Sequence, residues 1–471
     1  MNIRSHLAGL LLVLVLPLCA QPSLSLVQII DAPSGVNTAL GAKSVLQGGR
    51  LVVSYPSTSG GSVHIHARNE GGLDQWGRVQ SLYAFDGQTS FGKAIELLEE
   101  ELFVGSDQGT WSYKWNASLS AFGMPSQIDD YPVSAITSID TLLVTTSVPP
   151  SGAEGILGAF DGLSRIFRKD DLVGSGWSLF DVVVIPPNPL VTGGWTCAGE
   201  SVAIGRNVLV MGDPCYQSTL FGSSSNVFLV DRVVEGFDNN VIANFSVPEM
   251  SGRLGRDVAV LGDTVFLAQE GGWIVAIEWS GADNLGQHYA VLDTLFLEPY
   301  DQGEGCGRLD LSVDASGIVY ATTSEGVVIF HTDDATGAWD DAELLDGTQF
   351  CGTLSCSNGL LAFCVISTGE VWLFEDPSVG VSEISFHDEV LVVSPNPAYE
   401  HVIVNSIERE SGIRKLVLMD VTGRTIRSIS WNALAPLGLD VSDVPDQVML
   451  LRAEDAFGRL VGTARLVVGS N

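Results

Sequence analysis

LGRDVAVLGDTVFLAQEGGWIVAIEW, residues Leu254 to Trp279, contains the plan of most of the chain. A large residue and a glycine open it, and a short apolar run follows to the Gly-Asp pair at Gly262 and Asp263. A second run, rich in β-branched and aromatic residues, ends at Ala268, and the Gly-Gly pair at 271 and 272 leads into a third. Runs of this length and composition, separated by Gly and Asp turn chemistry, predict three antiparallel strands joined by tight turns.

The same pattern returns along the chain. It reads LGAKSVLQGGRLVVS from Leu40, FGKAIELLEEELFVGS from Phe91, AGESVAIGRNVLVMG from Ala198, CGRLDLSVDASGIVYAT from Cys306 and CGTLSCSNGLLAFCV from Cys351. PVSAITSIDTLLVTTS from Pro132 keeps the strands and loses the glycine. Gly41 to Gly92 is 51 residues, Gly92 to Gly199 is 107 with the degenerate copy between, and the later steps are 56, 52 and 45. After each pattern a Gly-rich turn leads to a third strand, as in GGSVHIHAR, SSNVFLVDR, EGVVIFHTD and TGEVWLFED, and a fourth completes the unit. A four-stranded unit repeated near every fifty residues is the building block of a β-propeller, since no unit buries both its faces alone. The predicted fold is all-β: a seven-bladed β-propeller over about residues 25–385, followed by a small immunoglobulin-like β-sandwich over 389–471. The strand from Leu26 to Asp31 is expected to complete the last blade and remove the open edges. Where blades converge on the central channel, the glycine permits close backbone approach.

Composition agrees. The 471 residues include 45% hydrophobic and 17% charged, enough to bury a sizeable core, and 52 Gly with 19 Pro favour short strands and turns over helix bundles. Against 56 Asp and Glu stand 23 Lys and Arg, a net charge of -33, which leaves no basic surface for phosphates and excludes nucleic acid as a partner.

With the continuation WGRVQSLYAFDGQTSFGKAIELLEEELFVGS from Trp76, the repeat resembles the FG-GAP type found in integrin-like propellers and many bacterial surface proteins, over roughly residues 40–375. That resemblance brings in calcium, which such blades often hold in a DxDxDG loop. No intact loop stands here. The nearest stretches are HTDDATGAWDD, with Asp333, Asp334, Asp340 and Asp341, and YDQGEG, with Asp301 and Glu304; both read first as turns between strands.

The last residues differ in character. Residues 389–471 hold ten acidic and eight basic side chains, a net of -2, beside a net of -32 for the preceding mature portion. Their short alternating strands suit a small sandwich. The lead-in SPNPAYEHVIV with Pro395, Asn396 and Pro397, the strand-turn-strand VLMDVTGRTIRS with Asp420, Gly423 and Arg424, and the LDVSDV stretch resemble the type A C-terminal sorting domain of the type IX secretion system of Bacteroidetes. The departure is VPDQVMLL, where that family usually carries Gly-Val-Tyr. The resemblance implies the type IX machinery as a partner, and a surface or extracellular address reached through the periplasm.

At the other end, residues 1–20 carry a basic Arg4, an apolar stretch from Leu7 to Leu18 and a small Ala20, the pattern of a secretory signal peptide. The stretch falls short of the roughly 20 residues that span a bilayer, and no later segment is apolar for long enough. Six cysteines remain beyond Cys19, an even number in a compartment that permits disulfides. Cys356 and Cys364 flank an expected hairpin, and Cys197 and Cys215 bracket one apolar strand, so each pair is placed to close a local loop; the competing reading is buried free thiols.

No HExxH, GxSxG, P-loop or dinucleotide fingerprint occurs in a suitable context. His64 and His66 lie two apart, on one side of a strand, a spacing that suits a shared metal; other copies carry Phe228 and Phe330 there, which favours packing. Trp195, Trp273, Trp279 and Trp372 suit either sugar stacking or the sealing of blade contacts. The leading expectation is a non-catalytic propeller that offers a face or channel to a protein or glycan. The alternative is a secreted hydrolase or lyase with its site in the channel, and a third is a self-associating surface-layer component.

Overall fold

The computed structural model describes residues 24–35, 42–47, 49–70, 75–85, 87–148, 162–170, 172–185, 198–213, 226–233, 236–245, 254–269, 272–283, 286–297, 309–332, 338–339, 341–345, 352–376, 391–396, 398, 401–406, 413–420, 425–431, 436–442, 444, 447–454 and 460–468. The segment read as a signal peptide lies outside them, as do Cys197 and Cys215. Every regular element among the described residues is a β-strand. The chain divides into two compact units, residues 1–377 and 378–471.

The first unit holds seven sheets among the described residues, six of four strands and the second of five, each built on an antiparallel meander of at least three consecutive strands. Sheet 1 runs Lys43–Gln47, Arg50–Ser57, Gly60–Arg68 and Trp76–Tyr83. Sheet 2 opens with Ala94–Leu98 and Glu101–Ser106, sheet 3 with Ala135–Ile139 and Leu142–Ser147, and sheet 4 with Ser201–Ile204 and Val208–Asp213. Sheet 5 opens with Leu254–Leu261 and Thr264–Gln269, sheet 6 with Leu311–Val313 and Val319–Thr323, and sheet 7 with Gly352–Ser357 and Leu360–Val365. The first strands touch one another in sequence order, and that of sheet 7 touches that of sheet 1. This closed ring of antiparallel sheets is a β-propeller.

Closure uses the two ends of the repeat region. Ser25–Ile30 pairs antiparallel with Val371–Glu375, Ile30 opposite Val371 and Ser25 opposite Glu375, and supplies the fourth strand of sheet 7. Gln28 then ties the seam to sheet 1: its Nε2 donates to Trp76 O at 3.1 Å and its Oε1 accepts from Trp76 N at 2.7 Å.

The second strand of each sheet is buried on both faces, which is why these strands read as continuous apolar runs and not as alternating ones. In Leu51–Val52–Val53, Leu51 and Val53 pack with Cys364, Val371 and Leu373 of sheet 7. Val52 faces the other way, among Ile95, Leu102 and Val104 of sheet 2. Analogous apolar clusters fill the other five junctions. At about 25 cal/mol per Å² of apolar area, these junctions are the main favourable term holding the ring.

Sheet 7 corrects one expectation. Cys356 and Cys364 are free thiols. Cys356 lies opposite Leu361 and Cys364 opposite Thr353, so the two side chains leave opposite faces of the hairpin and no disulfide forms between them. Cys364 joins the junction with sheet 1, whereas Cys356 packs toward sheet 6. Burial pushes both thiols up, Cys356 to about 12, so neither is a reactive thiolate.

The second unit consists of two antiparallel sheets, one of Leu391–Ser394, His401–Ser406 and Leu437–Asp440, the other of Thr425–Ser430, Lys415–Asp420, Gln447–Glu454 and Leu460–Val468. One apolar cluster joins them, with Val402, Val404 and Leu439 from the first sheet and Leu416, Leu418, Met449, Leu451 and Leu466 from the second. Two sheets sharing one core form a sandwich. The Asn396 side chain accepts from Val467 N at 2.8 Å, fastening the Pro395-Asn396 lead-in to the last strand. Asp420 ends a strand, opposite Met449. Pro397, Gly423 and Arg424 lie outside the described residues.

Candidate functional site

Charged side chains one to four positions after the motif glycine line the axis of the ring. From sheet 1 this brings in Lys43, from sheet 2 Lys93 and Glu96, from sheet 4 Glu200, from sheet 5 Arg256 and Asp257, and from sheet 6 Asp310. They line a channel that widens into a cavity of about 580 Å³ at one mouth and continues as one of about 390 Å³. The signal was present in the sequence as charged residues within four positions of five of the glycines, in AK, KAIE, ES, RD and RLD. Only ring closure reveals that they meet.

Most channel carboxylates bond to a neighbouring sheet. Asp257 Oδ2 accepts from Leu311 N at 2.7 Å, and Asp310 Oδ2 accepts from Leu354 N at 2.5 Å. Ser355 Oγ continues the series, accepting from Leu46 N at 2.7 Å across the seam. Each innermost strand presents an unpaired edge to the channel, and these side chains satisfy one N–H each on those of sheets 6, 7 and 1. Ser138 Oγ donates to Glu96 Oε1 at 2.6 Å, and Arg256 pairs with Glu200 at 3.1 Å. Asp107 stays within sheet 2 and its approach: it accepts from Ser90 Oγ at 2.6 Å and Thr89 Oγ1 at 3.1 Å and pairs with Lys93 at 3.4 Å.

Electrostatics sort these groups. Burial acts to raise Asp107, but the hydroxyls and Lys93 outweigh it and hold the carboxyl below its ordinary value. Glu96 touches channel space yet is ringed by protein, and that loss of water pushes it up to about 7 in spite of the Ser138 hydroxyl. Asp257 is driven well above the ordinary range by burial and then by the like charge of Asp310; the N–H groups of Leu311 and Val258 and the charge of Lys43 act the other way.

His64 and His66 sit on the third strand of sheet 1, both buried. The His64 ring is held between Ser62 Oγ at Nε2 and Ser81 Oγ at Nδ1, each at 2.9 Å. Burial lowers both imidazoles to about 4, helped at His64 by the charge of Arg78 and at His66 by His64 and then Arg78. Among the described residues no group of three His, Cys, Asp or Glu side chains is arranged to hold a metal ion. Of the calcium-loop candidates, Asp301, Glu304, Asp333, Asp334 and Asp340 lie outside the described residues, while Asp341 opens the last strand of sheet 6. Trp279 Nε1 donates to Asp231 of sheet 4 at 2.7 Å, sealing a junction. Trp273 packs on Phe296 within its own sheet, Trp372 lies beside the closing strand, and Trp195 is outside the described residues.

No family model and no curated protein matches the chain. Among solved structures it is similar to the β-propeller domain of Cps50 (Swd1) from Myceliophteria thermophila, 12% identical over 75% of this chain and 99% of that one, TM-score 0.45. A second is PorZ, an essential bacterial surface component of the type-IX secretion system of Porphyromonas gingivalis, 14% identical over 93% of this chain, TM-score 0.43; the chain spans 60% of that structure. A third is a chain of the Mitotic Checkpoint Complex, 12% identical over 79% of this chain and 99% of that one, TM-score 0.46. The fold and site define an all-β propeller with a narrow, charged, internally bonded channel.

Proposed function

We propose that this chain is an exported propeller of the FG-GAP type that binds a protein or glycan partner without catalysis. Its C-terminal, immunoglobulin-like sandwich is the address by which the type IX secretion machinery delivers it to the cell surface or the medium. The observation that carries the binding reading is that the five channel carboxylates among the described residues, Glu96, Asp107, Glu200, Asp257 and Asp310, are all engaged in holding strands or cations. The channel works as a strut, leaving the faces and rim for recognition. The export reading rests on the SPNP and DVTGR motifs at one end and the signal-like segment at the other.

Two experiments test the two halves. The purified mature chain, screened on protein and glycan arrays, is expected to retain a discrete set of ligands, and an empty screen overturns the binding role. A fluorescent reporter placed between a signal peptide and residues 380–471, in a host with type IX machinery, is expected at the surface or in the medium. Retention in the periplasm equal to a tailless reporter overturns the sorting role.

One observation favours a hydrolase or lyase instead: the Asp257 carboxyl, in the channel beside Asp310, is driven well above the ordinary range by burial and then by that like charge, the direction a general acid requires. That reading expects polysaccharide cleavage by the wild-type chain and its loss in Asp257→Asn.

A further inference from the structure

A second cavity, of about 550 Å³, opens beside sheet 1, lined by Pro33, Ser34 and Gly35 after the closing strand and by Tyr55, Ser62, His64, Arg78 and Tyr83, among others. Its construction follows from register. Tyr55, Ser62 and Tyr83 lie directly opposite one another on three adjacent strands, and Val53, His64 and Ser81 form the next row. All therefore share one face of the sheet. The small Ser62 separates two tyrosines about 10 Å apart, at two strand spacings, and so leaves a trough. His64 closes its end, with its ring centroid 5.5 Å from that of Tyr55 and 6.3 Å from that of Tyr83, both near perpendicular.

The two walls differ. Tyr55 is buried, its hydroxyl donating to Gly369 O at 3.0 Å, so that wall is rigid. Tyr83 is 65% exposed, a large ring offered to solvent on a strand where it does not contribute to the apolar core. Arg78 is exposed and has no hydrogen-bond or ion-pair partner among the described residues, though its charge is felt at Tyr55, His64 and His66. In a chain with 56 acidic side chains, no carboxylate among the described residues lines this cavity. An unpaired guanidinium in such a setting is a fork for a planar anion. The serine hydroxyls of Ser57, Ser59 and Ser62 supply neutral donors and acceptors, and the volume falls within the ~300–1,000 Å³ range of small-molecule sites.

We infer that this trough is a binding subsite for an acidic saccharide: a sugar ring stacked on Tyr83, its carboxylate held by Arg78 and its hydroxyls by the serines. The assignment rests on the binding role proposed above and gives that role a place and a ligand class. The same hairpin, Tyr55 to Gly61, separates the trough from the channel mouth: Pro56 and Thr58 line one cavity while Tyr55, Ser57 and Ser59 line the other.

Calorimetric titration of the full mature chain with tetragalacturonate and tetramannuronate, and with their methyl esters, tests it. Binding of at least one acid form is expected, with the ester at least tenfold weaker. Arg78→Gln and Tyr83→Ala, both at exposed positions, are each expected to weaken the acid form tenfold or more at unchanged Tm. No binding of either acid, equal affinity for acid and ester, or wild-type affinity in both variants overturns the subsite. If the arrays above still return ligands in that case, the binding role stands and only its location here fails; an empty array removes both.

Discussion

At Gly92 the backbone is left-handed, with φ +87°, and a Cβ would stand 2.9 Å from the Cβ of Ser54 in the neighbouring sheet. Gly199 repeats this at φ +90° and 2.9 Å from Thr146, and the two share a bond from their N–H to the residue thirteen further on, Gly105 at 3.0 Å and Gly212 at 2.9 Å. The sequence reading foresaw the close approach; the positive φ is a second demand it did not see. Gly92→Ala is expected to lower stability by about 1–3 kcal/mol, read as a lower urea midpoint at unchanged slope. Glu96 makes a different prediction. Its native carboxyl, at about 7 against an ordinary 4.5, holds its proton more tightly than the unfolded chain does. Between those values the native state binds more protons, so stability falls as pH rises through the window and levels off above it. After discounting for channel water, the drop is about 1–2 kcal/mol. Glu96→Gln keeps an acceptor for Ser138 and is expected to flatten that part of the pH profile in thermal melts; an unchanged slope refutes the assignment.

Among the elements, the strand Ser25–Ile30 carries the greatest leverage. It covers the free edge of Val371–Glu375, and its Gln28 grips the backbone of Trp76 in sheet 1, so one six-residue strand touches both sides of the seam. Of its apolar side chains Leu26, Val27 and Ile29 are exposed, and Ile30 alone joins the core cluster at the seam. Its role is therefore edge pairing and ring closure, which sequence reasoning reached by asking what would remove the open edge. A chain begun at residue 32 is expected to melt at least several degrees lower and to self-associate through the exposed strand. Monomeric behaviour with an unchanged Tm, by light scattering and calorimetry, would show that the seam holds without it. Sheet 7 also shows where local reading fails. The spacing of Cys356 and Cys364 suggested a loop closed by a disulfide, but a hairpin's register decides which face each side chain leaves, and a three-residue offset puts them on opposite ones.

For the molecule as a whole, charge is the dominant global property. A net of -33 on 471 residues places self-repulsion on the folded chain, and salt screens it over a Debye length of about 10 Å at 0.1 M. Thermal melts at rising NaCl are expected to shift upward, most steeply below about 0.2 M; a flat response would mean that the acidic side chains are spaced too widely to repel. The trough at Arg78 and the cations of the channel are local exceptions to this field. Sequence alone determined the strands, their turns, the fifty-residue repeat and the all-β class, because hydrophobic runs and Gly/Asp turn chemistry act over a few residues. It did not determine which side chains would meet. Asp257 and Leu311 are 54 residues apart, Asp310 and Leu354 are 44 apart, and Leu46 and Ser355 are 309 apart; each pair forms only when the ring closes. The channel and the trough belong to the tertiary structure, since their chemistry depends on register across strands and contact between sheets, and neither is encoded at any one place along the chain.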